Sequence, residues 1–186
     1  MYDPDDPGRA EVENFIRRIY AERYGAVLRG FAPRLVGLCD PIDGLVAAAG
    51  YRSASAEPLF LERYLRAPVE ALLAAHAAQP PRRGAIAEVG HLAAARAGEG
   101  LRLIMQLAPH LAGQGFEWVV STLTAELRHL FLRLGVTPLA LAAADPALLG
   151  EAAQDWGRYY EHDPVVQAGH LPQALQQLAR RAERVQ

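Results

Sequence analysis

The sequence predicts an α/β protein in which a mixed sheet is flanked by helices on both faces. Near the N-terminus, an amphipathic helical segment precedes two strand-like segments that are joined by a tight turn. Beyond them, β-branched and apolar segments alternate with helical segments, which is typical of strands connected through helices. The hairpin requires antiparallel pairing and the later segments favour parallel pairing, so the predicted sheet is mixed. A length of 186 residues suits a single domain.

The first helix is predicted over residues 11–24, because apolar side chains recur there at steps of three and four residues. Strands are predicted at 34–39 and 45–53, since Pro41 and the Asp43-Gly44 pair between them favour a tight turn. Residues 1–8 are acidic and interrupted by prolines, so we expect them to be disordered or loosely held. The domain is then expected to span residues 9–186 and to end in a C-terminal helix.

The later elements follow from the same patterns of apolar residues, prolines and glycines. The predicted helices are 60–65, 68–79, 101–112, 126–134, a short one after Asp145-Pro146, and the C-terminal helix from Pro172. The predicted strands are 86–92, 116–122, 138–144 and a last one at Val165-Val166.

Composition excludes several classes of function. A net charge of −2 gives no overall basic field for nucleic acid, and no run of 18 apolar residues predicts a membrane-spanning helix. The acidic N-terminus does not resemble a signal peptide. The single cysteine, Cys39, is expected to be a buried apolar residue in a reducing compartment, so the predicted location is cytoplasmic. No zinc, Walker or nucleophile-elbow motif is present, and no metal is expected.

Eight short segments together carry a resemblance to a known family. They are residues 19–26, 31–35, 50–52, 59–65, 88–93, 118–120, 133–135 and 156–160. In combination they resemble the thermostable hemolysin family over about residues 14–175. The resemblance implies an N-acetyltransferase-like (GNAT) fold similar to that of the acyl-homoserine-lactone synthases, with a single mixed sheet and helices on both faces.

The same resemblance implies two catalytic residues, Glu88 and His91, on the strand at residues 86–92. Glu88 matches the glutamate that assists deprotonation of the amine in the lactone synthases, and His91 stands where those enzymes carry an arginine. Positions 88 and 91 face opposite sides of a regular strand, so a bulge is needed to bring both to one cleft. An ionised Glu88 in an apolar strand needs a partner, for which Arg52 is the candidate. A purely structural Glu88–Arg52 pair is the alternative.

Further residues are expected around the substrates. Candidates for substrate binding are Arg52, as an alternative anchor for a substrate carboxylate, and Glu62, Trp118 and Trp156. Tyr160 is the candidate proton donor. The aromatic cluster at 156–160 alternatively anchors the core, and Glu62 alternatively lies on a solvated surface.

The turn that contains Arg96, Gly98 and Gly100 is the candidate site for the acyl donor. It precedes a predicted helix and is similar to the acetyltransferase pyrophosphate loop. Its spacing is one residue shorter than in that loop and Glu99 adds a negative charge, so the donor is either acyl-CoA or the acyl-phosphopantetheine of an acyl carrier protein. The alternative is an ordinary turn between a strand and a helix.

The predicted function is N-acylation of a small amine metabolite from an acyl thioester, with no permanently bound cofactor. The expected partners are a small-molecule amine and, for one of the two donors, an acyl carrier protein, with no nucleic acid. Two alternatives remain open: a membrane-active hemolysin, as the family name states, and a non-catalytic acyl-binding module.

Overall fold

A computed structural model describes residues 1–185, and the final residue of the predicted C-terminal helix, Gln186, lies outside the described residues. The chain forms one six-stranded mixed sheet with helices on both faces, which confirms the predicted fold class. The strands are β1 Arg34–Asp40, β2 Gly44–Ser53, β3 Ile86–Ala94, β4 Trp118–Leu123, β5 Leu139–Ala143 and β6 Val165–His170. The α-helices are α1 Arg9–Tyr24, α2 Val69–Ala74, α3 Glu99–Gly113, α4 Ala125–Arg133 and α5 Leu171–Val185.

The strands lie in the order β1-β2-β3-β4-β6-β5. The predicted hairpin is present, because β1 pairs antiparallel with β2 across the Asp40–Gly44 turn. Only the central pair of β3 and β4 is parallel, and it is connected through α3. The remaining described pairs are antiparallel.

Alternation along the strands divides the core between the two faces of the sheet. On one face, Ala48 of β2 packs with α1, and Ile86 of β3 packs with α2 and a 3-10 helix at Phe60–Tyr64. On the opposite face, Ala47 and Ala87 pack against Leu103, Leu107 and Leu111 of α3. Small strand residues let the helices approach the sheet closely on both sides.

Two details of the structure, the length of α2 and the exposure of Cys39, differ from the sequence-based expectations. The helix predicted at 68–79 is only α2, because Val69 and Leu73 are its buried residues and the alanines beyond them offer little apolar area. Cys39, predicted to be buried, is exposed, because Leu38 takes the inward position at a bulge in β1. At the N-terminus, Tyr2 exchanges two backbone hydrogen bonds with Leu35, at 2.8 and 3.0 Å.

No helix in the described part of the chain combines the length and the apolar character needed to cross a membrane.

Candidate active site

A gap opens in the centre of the sheet between β3 and β4. These parallel strands pair only from Ile86 to Glu88, opposite Trp118 to Val120, although β3 continues to Ala94. The backbone of β3 beyond Glu88 therefore faces a cleft on this side. Glu88 stands at the last paired position, where the gap begins.

A cavity of about 500 Å³ passes through this gap and reaches both faces of the sheet. Its aromatic side, on the face covered by α1, is lined by Tyr20, Tyr24, Phe31, Phe60, Trp156 and Tyr159. Its aliphatic side, on the face covered by α3, is lined mainly by Ile104, Leu107, Leu111, Leu127 and Leu178. Arg52, Glu88 and His91 also line the cavity wall.

Glu88 is 8% exposed and is held by two backbone donors and one ion pair. The backbone N–H of Phe60 donates to Oε2 at 2.8 Å, and that of Leu61 donates to Oε1 at 2.9 Å. Arg52 Nε lies 3.3 Å from Oε2, so the predicted Glu88–Arg52 pair is present. Burial raises the pKa of Glu88, whereas the two backbone N–H groups and Arg52 act in the opposite direction.

Arg52 is shared between two carboxylates. In addition to Glu88, it contacts Glu57, with 3.1 Å between Arg52 Nη1 and Glu57 Oε1. The side chain of Arg52 is mostly buried, whereas that of Glu57 is 42% exposed. The inner contact is thus protected from solvent, and the outer contact is open to competition from water or another anion.

His91 lies at the bulge that the sequence argument required. Ala48 and Gly50 of β2 face Ala93 and Gly90 of β3, so β3 carries one extra residue at this point. His91 adopts a left-handed backbone with φ of 54°, which is uncommon outside glycine. The bulge turns its ring to the cavity wall, 5.3 Å from the ring of Phe31 and on the same cavity as Glu88.

The imidazole of His91 is neutral at physiological pH. Burial is the main cause that lowers its pKa to about 4, the positive charge of Arg52 acts in the same direction, and a backbone hydrogen bond with Gly30 acts in the opposite direction. Its Nδ1 is buried and has no hydrogen-bond partner among the described residues. A β-carbon at Gly50 would lie 2.9 Å from the β-carbon of Ala32 and 3.3 Å from this Nδ1, so the site requires glycine there.

Tyr160 reaches the site through a second tyrosine. Its hydroxyl is hydrogen-bonded to that of Tyr64 at 2.6 Å, and Tyr64 itself lines the cavity near Glu88. Burial raises the pKa of both phenols, so both are protonated at neutral pH. Tyr160 was predicted from the sequence as the proton donor, and Tyr64 was not. The Phe60–Tyr64 helix turns the Tyr64 side chain inward.

Trp156 is placed at the cavity by a close backbone contact. Gly157 has φ of 53°, and a β-carbon there would lie 2.2 Å from the carbonyl oxygen of Tyr24, so only glycine fits. The next residue, Arg158, donates its backbone N–H to the same oxygen at 2.8 Å. These contacts hold the ring of Trp156 5.5 Å from Phe60 and 6.5 Å from Tyr20.

Two of the predicted substrate-binding residues lie elsewhere. Trp118 is buried in the core, with its ring 5.0 Å from that of His170. Glu62 lies on the outer side of the Phe60–Tyr64 helix, where it accepts hydrogen bonds from Arg83 and from the backbone N–H groups of Leu59 and Val69. Arg83 is the main cause that lowers the pKa of Glu62 to about 2.

The candidate donor turn connects β3 to α3, as predicted. Gly98 immediately precedes the first turn of α3, to which Gly100 belongs. The charged side chains around the turn are paired, Arg96 with Asp43 at 2.6 Å and Arg102 with Glu99 at 2.7 Å. A phosphate at this turn would therefore be bound by backbone N–H groups at the start of α3 and not by an unpaired arginine.

Apart from Trp156, the residues that form the aromatic and aliphatic walls were not predicted from the sequence. Tyr20 and Tyr24 belong to the apolar stripe of α1, and Leu107 and Leu111 to that of α3. A helical stripe of this kind normally indicates core. Nothing in its spacing reveals that neighbouring strands separate and leave part of the stripe facing a cavity.

Comparisons with solved structures show the same fold in acyltransferases. An apo form of TofI has a TM-score of 0.62 at 17% identity, over 91% of this chain and 87% of that one. FeeM, described as an N-acyl amino acid synthase from uncultured soil microbes, has a TM-score of 0.58 at 17% identity, over 92% and 95%. MesI, a CoA-dependent acyl-homoserine lactone synthase, has a TM-score of 0.56 at 17% identity, over 93% and 88%.

These likenesses confirm the GNAT-like fold that the family resemblance implied. No curated protein matches the sequence significantly. The sequence profile described as Thermostable hemolysin matches residues 2–175, which is nearly the whole chain. The chain therefore belongs to the thermostable hemolysin family.

Proposed function

We propose that this protein is an N-acyltransferase that moves an acyl group from a thioester to a small amine. The observation that carries the proposal is the cavity at the β3–β4 gap, with the Glu88 carboxylate on its wall and access from both faces. A thioester arm can lie in such a gap, and the acceptor can approach from the opposite face. The fold shared with several acyltransferases supports this use of the site.

The reaction needs the acceptor as a neutral amine. An ammonium ion on the aromatic side gives one proton to Glu88, whose pKa is raised by burial and which is therefore a better base than an exposed glutamate. The amine nitrogen then attacks the thioester carbonyl carbon, and the carbon–nitrogen bond forms. Backbone N–H groups on the unpaired edge of β3 can stabilise the oxyanion.

Collapse of the tetrahedral intermediate breaks the carbon–sulfur bond and releases a thiolate. Tyr64, hydrogen-bonded to Tyr160, is the proton donor that we assign to this sulfur. The nitrogen passes its second proton back to the Tyr64 phenolate, Glu88 releases its proton to solvent, and the products are an amide and a free thiol. His91 remains neutral throughout and keeps the bulge in place beside the reacting groups.

The acyl donor is a co-substrate rather than a resident cofactor. Acyl-CoA and acyl carrier protein both present a phosphopantetheine arm, and the start of α3 beside Gly98 and Gly100 is where we place its phosphate. The aliphatic side of the cavity, close to α3, then receives a fatty acyl chain. Both donors are made in the cytoplasm, where we expect the protein to act.

The test combines thiol release with detection of the amide. Purified protein is incubated with octanoyl-CoA, or with octanoyl acyl carrier protein, and a mixture of small amines, and the amide is identified by mass spectrometry. Glu88→Gln should lower kcat/KM by about 10²- to 10⁴-fold, because general-base catalysis is lost. Glu70→Gln is the control, since Glu70 pairs with Arg83 outside the cavity.

Absence of both amide and free thiol with either donor overturns the proposal. Bound acyl ligand without turnover would instead identify an acyl-binding module.

A further inference from the structure

We propose that the acceptor is an aromatic α-amino acid, which the protein acylates on its amino group. This inference rests on the proposed acyltransferase function and assigns a substrate class to the aromatic side of the cavity. Three features carry it: a remaining acceptor position on Glu88, an adjacent arginine whose outer partner is replaceable, and aromatic rings around both.

Glu88 retains room for one ammonium hydrogen bond. A carboxylate offers about four acceptor positions. Two are used, by Phe60 N–H and Leu61 N–H, and Arg52 Nε forms an ion pair with Oε2 at 3.3 Å. The carboxylate is buried on the cavity wall and still has acceptor capacity, so it is a suitable partner for a substrate ammonium group.

Arg52 provides the complementary site for a carboxylate. Its Nε lies 3.3 Å from Glu88, so a positive and a negative group are adjacent on the same wall. Its Nη1 is occupied by Glu57, a half-exposed residue that a substrate carboxylate can replace. An α-amino acid carries an ammonium group and a carboxylate on one carbon, and it therefore matches this pair of charges.

The rings around these charges favour an aromatic side chain. Phe60, Trp156 and Tyr159 line the cavity on the face that Glu88 occupies, and the centroid of Trp156 lies 5.5 Å from that of Phe60 and 5.2 Å from that of Tyr159. An aromatic pair contributes about 0.5–1.5 kcal/mol beyond the area that it buries. The donor turn lies next to α3, so the acyl chain takes the aliphatic side and leaves the rings for the acceptor.

The test compares acceptors that differ by one group each. With octanoyl-CoA or octanoyl acyl carrier protein as donor, kcat/KM is measured for L-phenylalanine, for phenethylamine, which lacks the carboxylate, and for L-alanine, which lacks the ring. We expect L-phenylalanine to be preferred over either analogue by 10-fold or more. This comparison uses the wild-type protein and does not depend on any variant folding.

Arg52→Gln then tests the assignment of the carboxylate site. The ratio of kcat/KM for L-phenylalanine to that for phenethylamine should fall by about 10- to 100-fold, the range for a hydrogen bond to a charged group. Arg18→Gln is the control, because Arg18 is paired with Glu22 on the exposed surface of α1 and should leave the ratio unchanged.

Equal or better use of phenethylamine or L-alanine by the wild-type protein overturns the inference while the acyltransferase proposal stands. An unchanged ratio in folded Arg52→Gln also overturns it. If no amine is acylated and no thiol is released, the proposed function itself is the part that fails.

Discussion

Two glutamates accept backbone N–H groups around the Phe60–Tyr64 helix, Glu88 from β3 and Glu62 from within the helix, and they acquire opposite properties. Glu88 accepts the backbone N–H groups of Phe60 and Leu61, and Glu62 accepts those of Leu59 and Val69. Each also has an arginine, Arg52 for Glu88 and Arg83 for Glu62.

The pKa values of Glu62 and Glu88 shift in opposite directions because the two carboxylates differ in burial. Arg83 makes two hydrogen bonds to Glu62 near the surface and lowers its pKa to about 2, whereas burial beside the cavity raises the pKa of Glu88. Glu62 is therefore a structural anion, and Glu88 can exchange a proton. The burial of a carboxylate, more than the identity of its partners, separates the two roles here.

The largest expected effect comes from removing the Glu88 carboxylate, and it is on the free energy of unfolding. Glu88→Ala leaves Arg52 and two backbone N–H groups without their carboxylate beside the cavity, and it should lower the free energy of unfolding by about 3–5 kcal/mol. Glu70→Ala removes a partner of Arg83 in a more exposed pair and should cost about 1 kcal/mol or less. Urea unfolding measures both, and equal losses would contradict the distinction between cavity and surface.

A second effect concerns His91, the other ionisable group on the cavity wall. Its pKa of about 4 lies below the ordinary 6.5. Between these two pH values the unfolded chain therefore binds a proton on this histidine and the folded protein does not. Stability should therefore fall by about 3 kcal/mol as the pH falls from about 6.5 to about 4. His91→Asn, which tolerates the left-handed backbone, should remove this dependence, whereas the exposed His129→Asn should retain it.

The smallest effect is a pair of opposite changes in the pH dependence of stability. The lowered pKa of Glu62 contributes stability that is lost as the pH falls from about 4.3 to about 2, so Glu62→Gln should flatten this acid limb. The raised pKa of Glu88 acts in the opposite sense, with stability lost as the pH rises above about 4.3, and Glu88→Gln should remove that loss. Urea midpoints measured across this range check both signs, and parallel profiles would show that the two carboxylates are equivalent.

The sequence predicted the elements of the fold more completely than the site. Apolar periodicity and the Asp43-Gly44 turn identified the first helix and the hairpin, and the pairing of Glu88 with Arg52 followed from the need to neutralise a charge in an apolar strand. A bulge was predicted as the condition for Glu88 and His91 to line the same cleft. The pairing of β2 with β3 contains a bulge at His91.

The rest depended on contacts between distant segments. Glu62 looks like a cleft residue in the sequence, but Arg83, 21 residues later, binds it on the outer side of the helix. Tyr64 was overlooked because only the folded chain brings its hydroxyl to that of Tyr160, 96 residues away. The position of Trp118 was likewise decided by packing against β6, which its aromatic character does not reveal.

The short contact between β3 and β4 has a consequence for the whole domain. Three residue pairs are the only strand pairing described between β1-β2-β3 and β4-β6-β5, so the sheet consists of two three-stranded halves with a narrow seam. A ligand in the gap touches both halves and binds only the folded chain. Such a ligand therefore bridges the two halves of the sheet. At a concentration of 100 times its Kd it adds about 2.7 kcal/mol to the free energy of unfolding. The melting temperature should therefore rise with the concentration of any ligand that binds in this gap.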